Sequence, residues 1–225
     1  KDHLNTLEND LNNERDTLLI FFLIASVLNL QGNKQKMKRV HTFTKYWFLS
    51  LFFLLLLSAS ADADQNDARL AELFRSLKST ENVSKASVFE SKIWHIWMEH
   101  HDPEVESAMF QGLEAMKLQL FEQAFGHFSL LIKLAPDYAE GWNKRATVLY
   151  LMGRFKESEA DVLRTLELEP RHFGALSGQG LIRISLQDWT GAIYFLESAL
   201  KINPHMHGVI MNLKYARQKQ KESMT

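Results

Sequence analysis

The fold is decided by the stretch from Pro136 to Pro170, PDYAEGWNKRATVLYLMGRFKESEADVLRTLELEP, which begins and ends on a proline. The chain of 225 residues has only four prolines, and the other two, Pro103 and Pro204, stand at nearly the same interval before and after this pair. Proline ends or interrupts a helix because it lacks an N–H group and clashes with the preceding turn. The spacing therefore predicts an internal repeat of about 34 residues.

Other columns of residues follow the same period, and each column has one class of side chain that recurs once in every repeat. The columns are aromatic at Phe121, Phe155 and Trp189, apolar at Phe128, Val162 and Leu196, and small at Gly112, Ala146 and Gly180. Within each repeat, apolar residues recur every three or four positions, as in an amphipathic helix. The sequence therefore predicts an all-α fold with two antiparallel helices in each repeat. The expected pairs are 106–118 with 121–134, 139–152 with 155–168, and 173–186 with 189–202.

The recurring residues resemble those of the tetratricopeptide repeat (TPR) family. The resemblance rests on Gly112, Ala124, Phe128 and Pro136, on Trp142, Gly153, Phe155 and Pro170, and on Gly180, Ala192, Ala199 and Pro204. It implies a right-handed α–α superhelix, or solenoid, of three repeats at 105–138, 139–172 and 173–206. Such arrays need end units with a polar outer face. We therefore expect a helical pair at 62–104, as a degenerate repeat or cap, and a capping helix at 207–225.

The N-terminal region 1–61 has the pattern of a targeting segment. Met37 is followed by basic residues, by the apolar run 46–57 and by small residues up to Ala61. This run is shorter than the roughly 20 apolar residues of a membrane-spanning helix. We therefore predict a signal peptide at 37–61, and an upstream extension at 1–36 that is not part of the mature protein. The alternative is a membrane hairpin formed with the earlier apolar run at 18–30.

This start, together with WNKRATVLYLMG and LEPRHFGALSG further along the chain, is also similar to exported bacterial TPR proteins of unassigned role. We therefore expect an exported, periplasmic protein. The alternative is a protein anchored in the membrane by an uncleaved N-terminal segment, which is the only membrane contact that the sequence predicts.

Composition excludes several classes of protein. The formal net charge is −1, with 24% charged and 46% hydrophobic residues, so a folded domain is expected and a nucleic-acid partner is not. Cysteine is absent, which excludes a thiol nucleophile and a disulfide framework.

The glycine-rich stretch EPRHFGALSGQG at 169–180 invites a catalytic interpretation, which its spacing excludes. A hydrolase elbow needs glycine two residues before and after the serine, where this chain has Ala175 and Gln179. A dinucleotide loop needs a third glycine where this chain has Arg183. We therefore predict no catalytic residue, no cofactor and no enzymatic activity.

Histidines cluster in WHIWMEHHD at 94–102 and in NPHMH at 203–207. Imidazole and carboxylate groups bind transition metals where several of them converge. We expect the adjacent His100 and His101 to point in different directions at a helix end, and so we predict no metal site. A metal-dependent function through these histidines is the alternative.

The resemblance implies a protein or peptide partner held on the concave face, which the first helix of each repeat lines. The lining residues that we select as candidates for partner binding are Asn143, Lys144, Thr147, Tyr150, Ser177, Gly178 and Leu181. Asn143 and Lys144 have side chains suited to an extended peptide backbone or a carboxylate, and the alternative is that they are solvated polar residues.

Three glycines, Gly174, Gly178 and Gly180, lie in the predicted first helix of the third repeat. The chaperone-binding subgroup of the family has two basic residues that clamp a carboxylate, and here Gly174 and Gly178 occupy those places, so this clamp is not expected. Our hypothesis is that Gly174 and Gly178 let a bound backbone approach, and that Gly180 allows close packing of helices.

The sequence thus predicts a non-enzymatic scaffold or adaptor for protein interactions, with a membrane-tethered assembly factor as the alternative.

Overall fold

The computed structural model describes residues 65–224, and their regular structure is helical throughout. The predicted upstream extension and signal peptide, 1–36 and 37–61, lie outside the described residues. The helices of the described part are α1 (Arg69–Ser79), α2 (Val83–Met98), α3 (Pro103–Lys117), α4 (Phe121–Leu134), α5 (Ala139–Leu151), α6 (Phe155–Leu168), α7 (Phe173–Ser185), α8 (Trp189–Ile202) and α9 (His207–Glu222).

The predicted helix pairs correspond to α3 with α4, α5 with α6, and α7 with α8, and the two helices of each pair pack against each other. Their bounds lie within three residues of the predicted ones. Pro103 is the first residue of α3, a position whose backbone N–H would form no hydrogen bond within the helix, so proline is tolerated there. Pro136, Pro170 and Pro204 lie in the loops that follow α4, α6 and α8. The predicted all-α helical repeat is confirmed.

A column of small residues lets the two helices of each pair approach closely. A Cβ atom added to Gly112 would overlap the ring of Phe128, and one added to Gly180 would lie 2.5 Å from Cδ2 of Leu196. In the middle pair the buried hydroxyl of Ser158 donates a 2.7 Å hydrogen bond to the carbonyl oxygen of Ala146. The packing explanation of Gly180 is therefore confirmed.

The first helix pair, α1 with α2, packs on the second and third repeats. The side chains of α1 and α2 form a core with Phe173, the fully buried first residue of α7. Ile202 and Met206, near the end of α8, pack against the same core. The pair therefore lies across α5, α7 and α8, because its large apolar side chains are buried against the first residue of α7 and the end of α8.

Gln65 ties the beginning of the described chain to the second repeat. Its side-chain amide donates a 2.7 Å hydrogen bond to the carbonyl of Asp137 and accepts a 3.2 Å bond from the backbone N–H of Ala139. The N-cap residue of α5, Tyr138, makes no side-chain cap of its own. Gln65 therefore satisfies one of the free N–H groups at the start of α5 from 74 residues away.

Helix α9 packs against α8 through Val209, Leu213 and Ala216, which are buried, while Lys214 and Arg217 are exposed. None of the helices in residues 65–224 has the length and apolar character that a membrane span needs.

Two glycines of α7 provide a matched test of the packing. An added methyl group at Gly180 would lie 2.5 Å from Leu196, whereas at Gly178 it would meet no heavy atom within 4 Å. We expect Gly180→Ala to lower the free energy of unfolding by about 1–3 kcal/mol, because it overpacks the contact with α8. Gly178→Ala should raise it by up to about 1 kcal/mol, because alanine is the better helix former. Urea unfolding of both variants measures this, and changes of the same sign would contradict it.

Candidate partner-binding surface

A buried carboxylate, Glu140, stands at the start of α5. Its side chain is 1% exposed and accepts hydrogen bonds at Oε2 from His172 Nε2 at 2.8 Å and from Asn143 Nδ2 at 2.9 Å. The other oxygen, Oε1, lies 2.8 Å from the Nζ of Lys144. These three partners offset part of the cost of burying the charge.

His172 connects this carboxylate to the next repeat. It is the N-cap residue of α7, and its Nδ1 accepts a 3.0 Å hydrogen bond from the backbone N–H of Ala175. Because Nδ1 is an acceptor, the proton of the neutral ring lies on Nε2 and is donated to Glu140. One imidazole thus caps α7 and links it to α5.

The carboxylate of Glu140 is ionised at neutral pH. Burial by itself raises the pKa of this group, but the charge of Lys144 and the hydrogen bond from His172 outweigh it, so the pKa of Glu140 falls below its ordinary value.

Helix α2 covers this network with two tryptophans. The ring of Trp97 stacks on the imidazole of His172, with centroids 4.2 Å apart and planes 8° apart. The Nζ of Lys144 lies 5.4 Å from the centroid of the Trp94 ring. The hydroxyl of Tyr138 donates a 2.8 Å hydrogen bond to the carbonyl oxygen of Trp97 and so fixes the end of the helix.

The hypothesis for Gly174 is corrected by the position of Trp94. A Cβ atom at Gly174 would lie 2.5 Å from Cη2 of the Trp94 ring. The close approach that required glycine is therefore made by a side chain of the same chain, and Gly174 has no space left for a bound backbone.

The structure places Asn143 and Lys144 beside the buried carboxylate of Glu140. Asn143 is 7% exposed and donates to Glu140, and Lys144, whose side chain is 18% exposed, forms an ion pair with Glu140 under Trp94. The polar groups expected to meet a partner are thus already engaged within the protein.

The other five predicted residues form a strip along α5 and α7, which we call the inner strip: Thr147, Tyr150, Ser177, Gly178 and Leu181. The hydroxyl of Tyr150 lies 3.3 Å from that of Ser185 and so connects the two helices. The hydroxyls of Thr147 and Ser177 donate to carbonyl groups of their own helices, which leaves oxygen lone pairs available. The space next to Gly178 is open.

Proteins of known sequence or structure share these repeats, although no family model matches the chain. A TPR repeat-containing protein of Rhizobium etli is 37% identical over 114 residues, which are 51% of this chain and 56% of that protein. The TPR2B domain of yeast Sti1, solved in a complex with pHsp70, matches with a TM-score of 0.50 and 22% identity over 52% of this chain and 99% of that domain. The described residues have the TPR fold.

Another relative of this chain is an Hsp70-Hsp90 organizing protein of Triticum aestivum. It is 30% identical over 113 residues, which are 50% of this chain and 19% of the wheat protein. The chain therefore spans just over half the length of the Rhizobium relative and about a fifth of the wheat relative.

The histidines after α2 are arranged differently from expectation. Helix α2 ends at Met98, and the rings of His100 and His101 beyond it stack on each other, 4.9 Å apart with planes at 11°. They do not point in different directions. Within residues 65–224, no three histidine, aspartate or glutamate side chains are grouped so that they could hold a metal ion.

Neither Glu140 nor His172 was among the candidates drawn from the sequence. The two residues stand 32 positions apart, so they meet only after the second and third TPR units have packed together. A signal was present for part of the network, since Glu140 precedes Asn143 and Lys144 by three and four residues on one helix.

The buried carboxylate predicts a specific pH dependence of stability. We expect Glu140→Gln to lower the free energy of unfolding at pH 7 by about 3 kcal/mol, because Lys144 then loses its negative partner. The lowered pKa of Glu140 means that its stabilising effect is present above the ordinary carboxyl range and is lost as the pH falls through the lowered value. The difference in the free energy of unfolding between Glu140→Gln and the unsubstituted protein should therefore become smaller at acidic pH.

Urea unfolding at pH 7 and near pH 3.5 provides the measurement. The control is Glu167→Gln, which removes an exposed ion pair with Arg164 and should change stability little at either pH. A stability difference for Glu140→Gln that is the same at both pH values would contradict the assignment.

Proposed function

We propose that this TPR protein is an interaction scaffold that holds an extended peptide segment of another protein on the inner strip. The observation that carries the proposal is that α2 covers the starts of α5 and α7, while the inner strip beyond it stays accessible. The Sti1 domain of similar fold, in complex with pHsp70, and the wheat relative, named an organizing protein, support a role in protein interactions.

The chemistry of the strip suits a peptide backbone. The hydroxyl oxygens of Thr147 and Ser177 keep lone pairs that can accept hydrogen bonds from N–H groups of an extended chain, and the hydroxyl of Tyr150 can donate or accept. Gly178 has no side chain to keep that chain away, and Leu181, which is partly buried, adds an apolar contact.

An acidic peptide terminus is a poor match for this strip. None of its residues is charged, and the cation beside it, Lys144, is neutralised by Glu140 at 2.8 Å. Recognition would therefore depend on backbone hydrogen bonds and on contacts near the strip.

Site-specific photocrosslinking tests the location of the partner. A photoreactive phenylalanine analogue in place of Ser177 should form a crosslink to a discrete partner in the cells that produce the protein. The same analogue in place of Leu163, a residue of α6 that is 49% exposed, serves as the control and should not capture that partner. Equal capture at the two positions would contradict the proposal.

A pair of glycine substitutions then tests whether the strip is needed. Gly178 and Gly126 both have open space beside them, and Gly126 lies on α4, away from the strip. We expect Gly178→Gln to reduce capture of the crosslinked partner about tenfold, because the new side chain fills the space of the bound backbone. Gly126→Gln should leave capture unchanged. Capture that survives Gly178→Gln would count against the inner strip.

A further inference from the structure

An open pocket of about 390 Å³ adjoins the inner strip. It lies between α2, α7 and α9, and its walls include Glu90 of α2 and the histidines His205 and His207 at the start of α9. Ser177 and Leu181 belong both to this pocket and to the inner strip. A peptide on the strip could therefore place one side chain in the pocket.

The pocket contains a carboxylate without a cationic partner. One oxygen of Glu90 accepts a 3.1 Å hydrogen bond from the amide of Asn203, a fully buried residue, which holds the carboxylate in place. In the part of the chain that the structure describes, no lysine or arginine forms an ion pair with Glu90. The buried Glu140, by contrast, has both Lys144 and His172 beside it.

The same pocket contains a buried nitrogen with no hydrogen-bond partner among the described residues. This atom is Nε2 of His205, whose backbone N–H donates a 3.1 Å bond to Asn203 and so fixes the loop. A buried polar atom without a partner costs free energy, which a bound ligand would recover. In a neutral ring with its proton on Nδ1, Nε2 is a hydrogen-bond acceptor.

The field in the pocket favours a cation at neutral pH. The start of α9 contributes the partial positive charge of a helix N-terminus, about half an elementary charge. The full negative charge of Glu90 exceeds it. Glu90 and His205 both line the pocket. The charge of Glu90, together with the lone pair of Nε2 in the His205 tautomer protonated on Nδ1, suits a hydrogen-bond donor with a positive charge.

We propose that this pocket takes the charged end of a lysine or arginine side chain from the peptide on the inner strip. The cationic group donates hydrogen bonds to Glu90 and to Nε2 of His205, and Leu181 contacts the methylene groups that precede it. This proposal rests on the proposed function, because the side chain would come from the peptide bound there. The selectivity of the pocket for a cation can nevertheless be measured without the partner.

An NMR titration of the purified full-length protein provides the test. The probes are N-acetyl-lysine-N-methylamide and its Nε-acetylated form, which differ in the charge at the end of the side chain. We expect the charged probe to shift the signals of His205 and Gly208 saturably, with about tenfold tighter binding than the neutral probe. Glu90→Gln should remove this preference, whereas Glu81→Gln, an exposed residue between α1 and α2, should preserve it.

Equal binding of the two probes to the unsubstituted protein would overturn the proposal, and this comparison needs no variant to fold. A preference that persists in a folded Glu90→Gln variant would overturn it as well. Failure here leaves crosslinking at Ser177 unaffected, so the pocket and the proposed function can be judged separately.

Discussion

The burial of one negative charge, that of Glu140, is the constraint on which the arrangement of the repeats depends. A carboxylate that is 1% exposed needs strong partners, and it finds them in His172, Asn143 and Lys144. Since His172 also caps α7, its hydrogen bond to Glu140 fixes the second repeat against the third. The tryptophans of α2 cover the network and exclude water from it, which strengthens each of these interactions.

Helices α1 and α2 lie over the second and third repeats, and their position determines where a partner can bind. Their core includes Phe173, and Trp94 occupies the space that Gly174 leaves. The starts of α5 and α7 are therefore filled by the chain itself. The inner strip and the pocket beside it remain accessible. The pocket contains the carboxylate of Glu90 on α2, whereas the inner strip contains no charged residue.

Much of the repeat could be predicted from the sequence because its determinants are local. Helix periodicity and the regular spacing of the prolines place the six helices from α3 to α8 within three residues of their bounds. The position of α1 and α2 could not be predicted, because it depends on contacts such as Gln65 with Ala139, 74 residues apart. Gly174 and Gly178 looked equivalent in the sequence, and only the place of Trp94 distinguishes them. Asn143 and Lys144 were candidates for partner binding, but Glu140, which precedes them by three and four residues on α5, engages both.

The central claim is that α2 lies on the second and third repeats and covers the pair of Glu140 and His172. The most direct measurement is a set of nuclear Overhauser effects from the indole rings of α2 in the purified protein. The structure predicts strong effects between Trp97 and the imidazole of His172, and between Trp94 and the α-protons of Gly174. Contacts of these indoles with α3 instead, as in a helix pair stacked ahead of the first repeat, would contradict it.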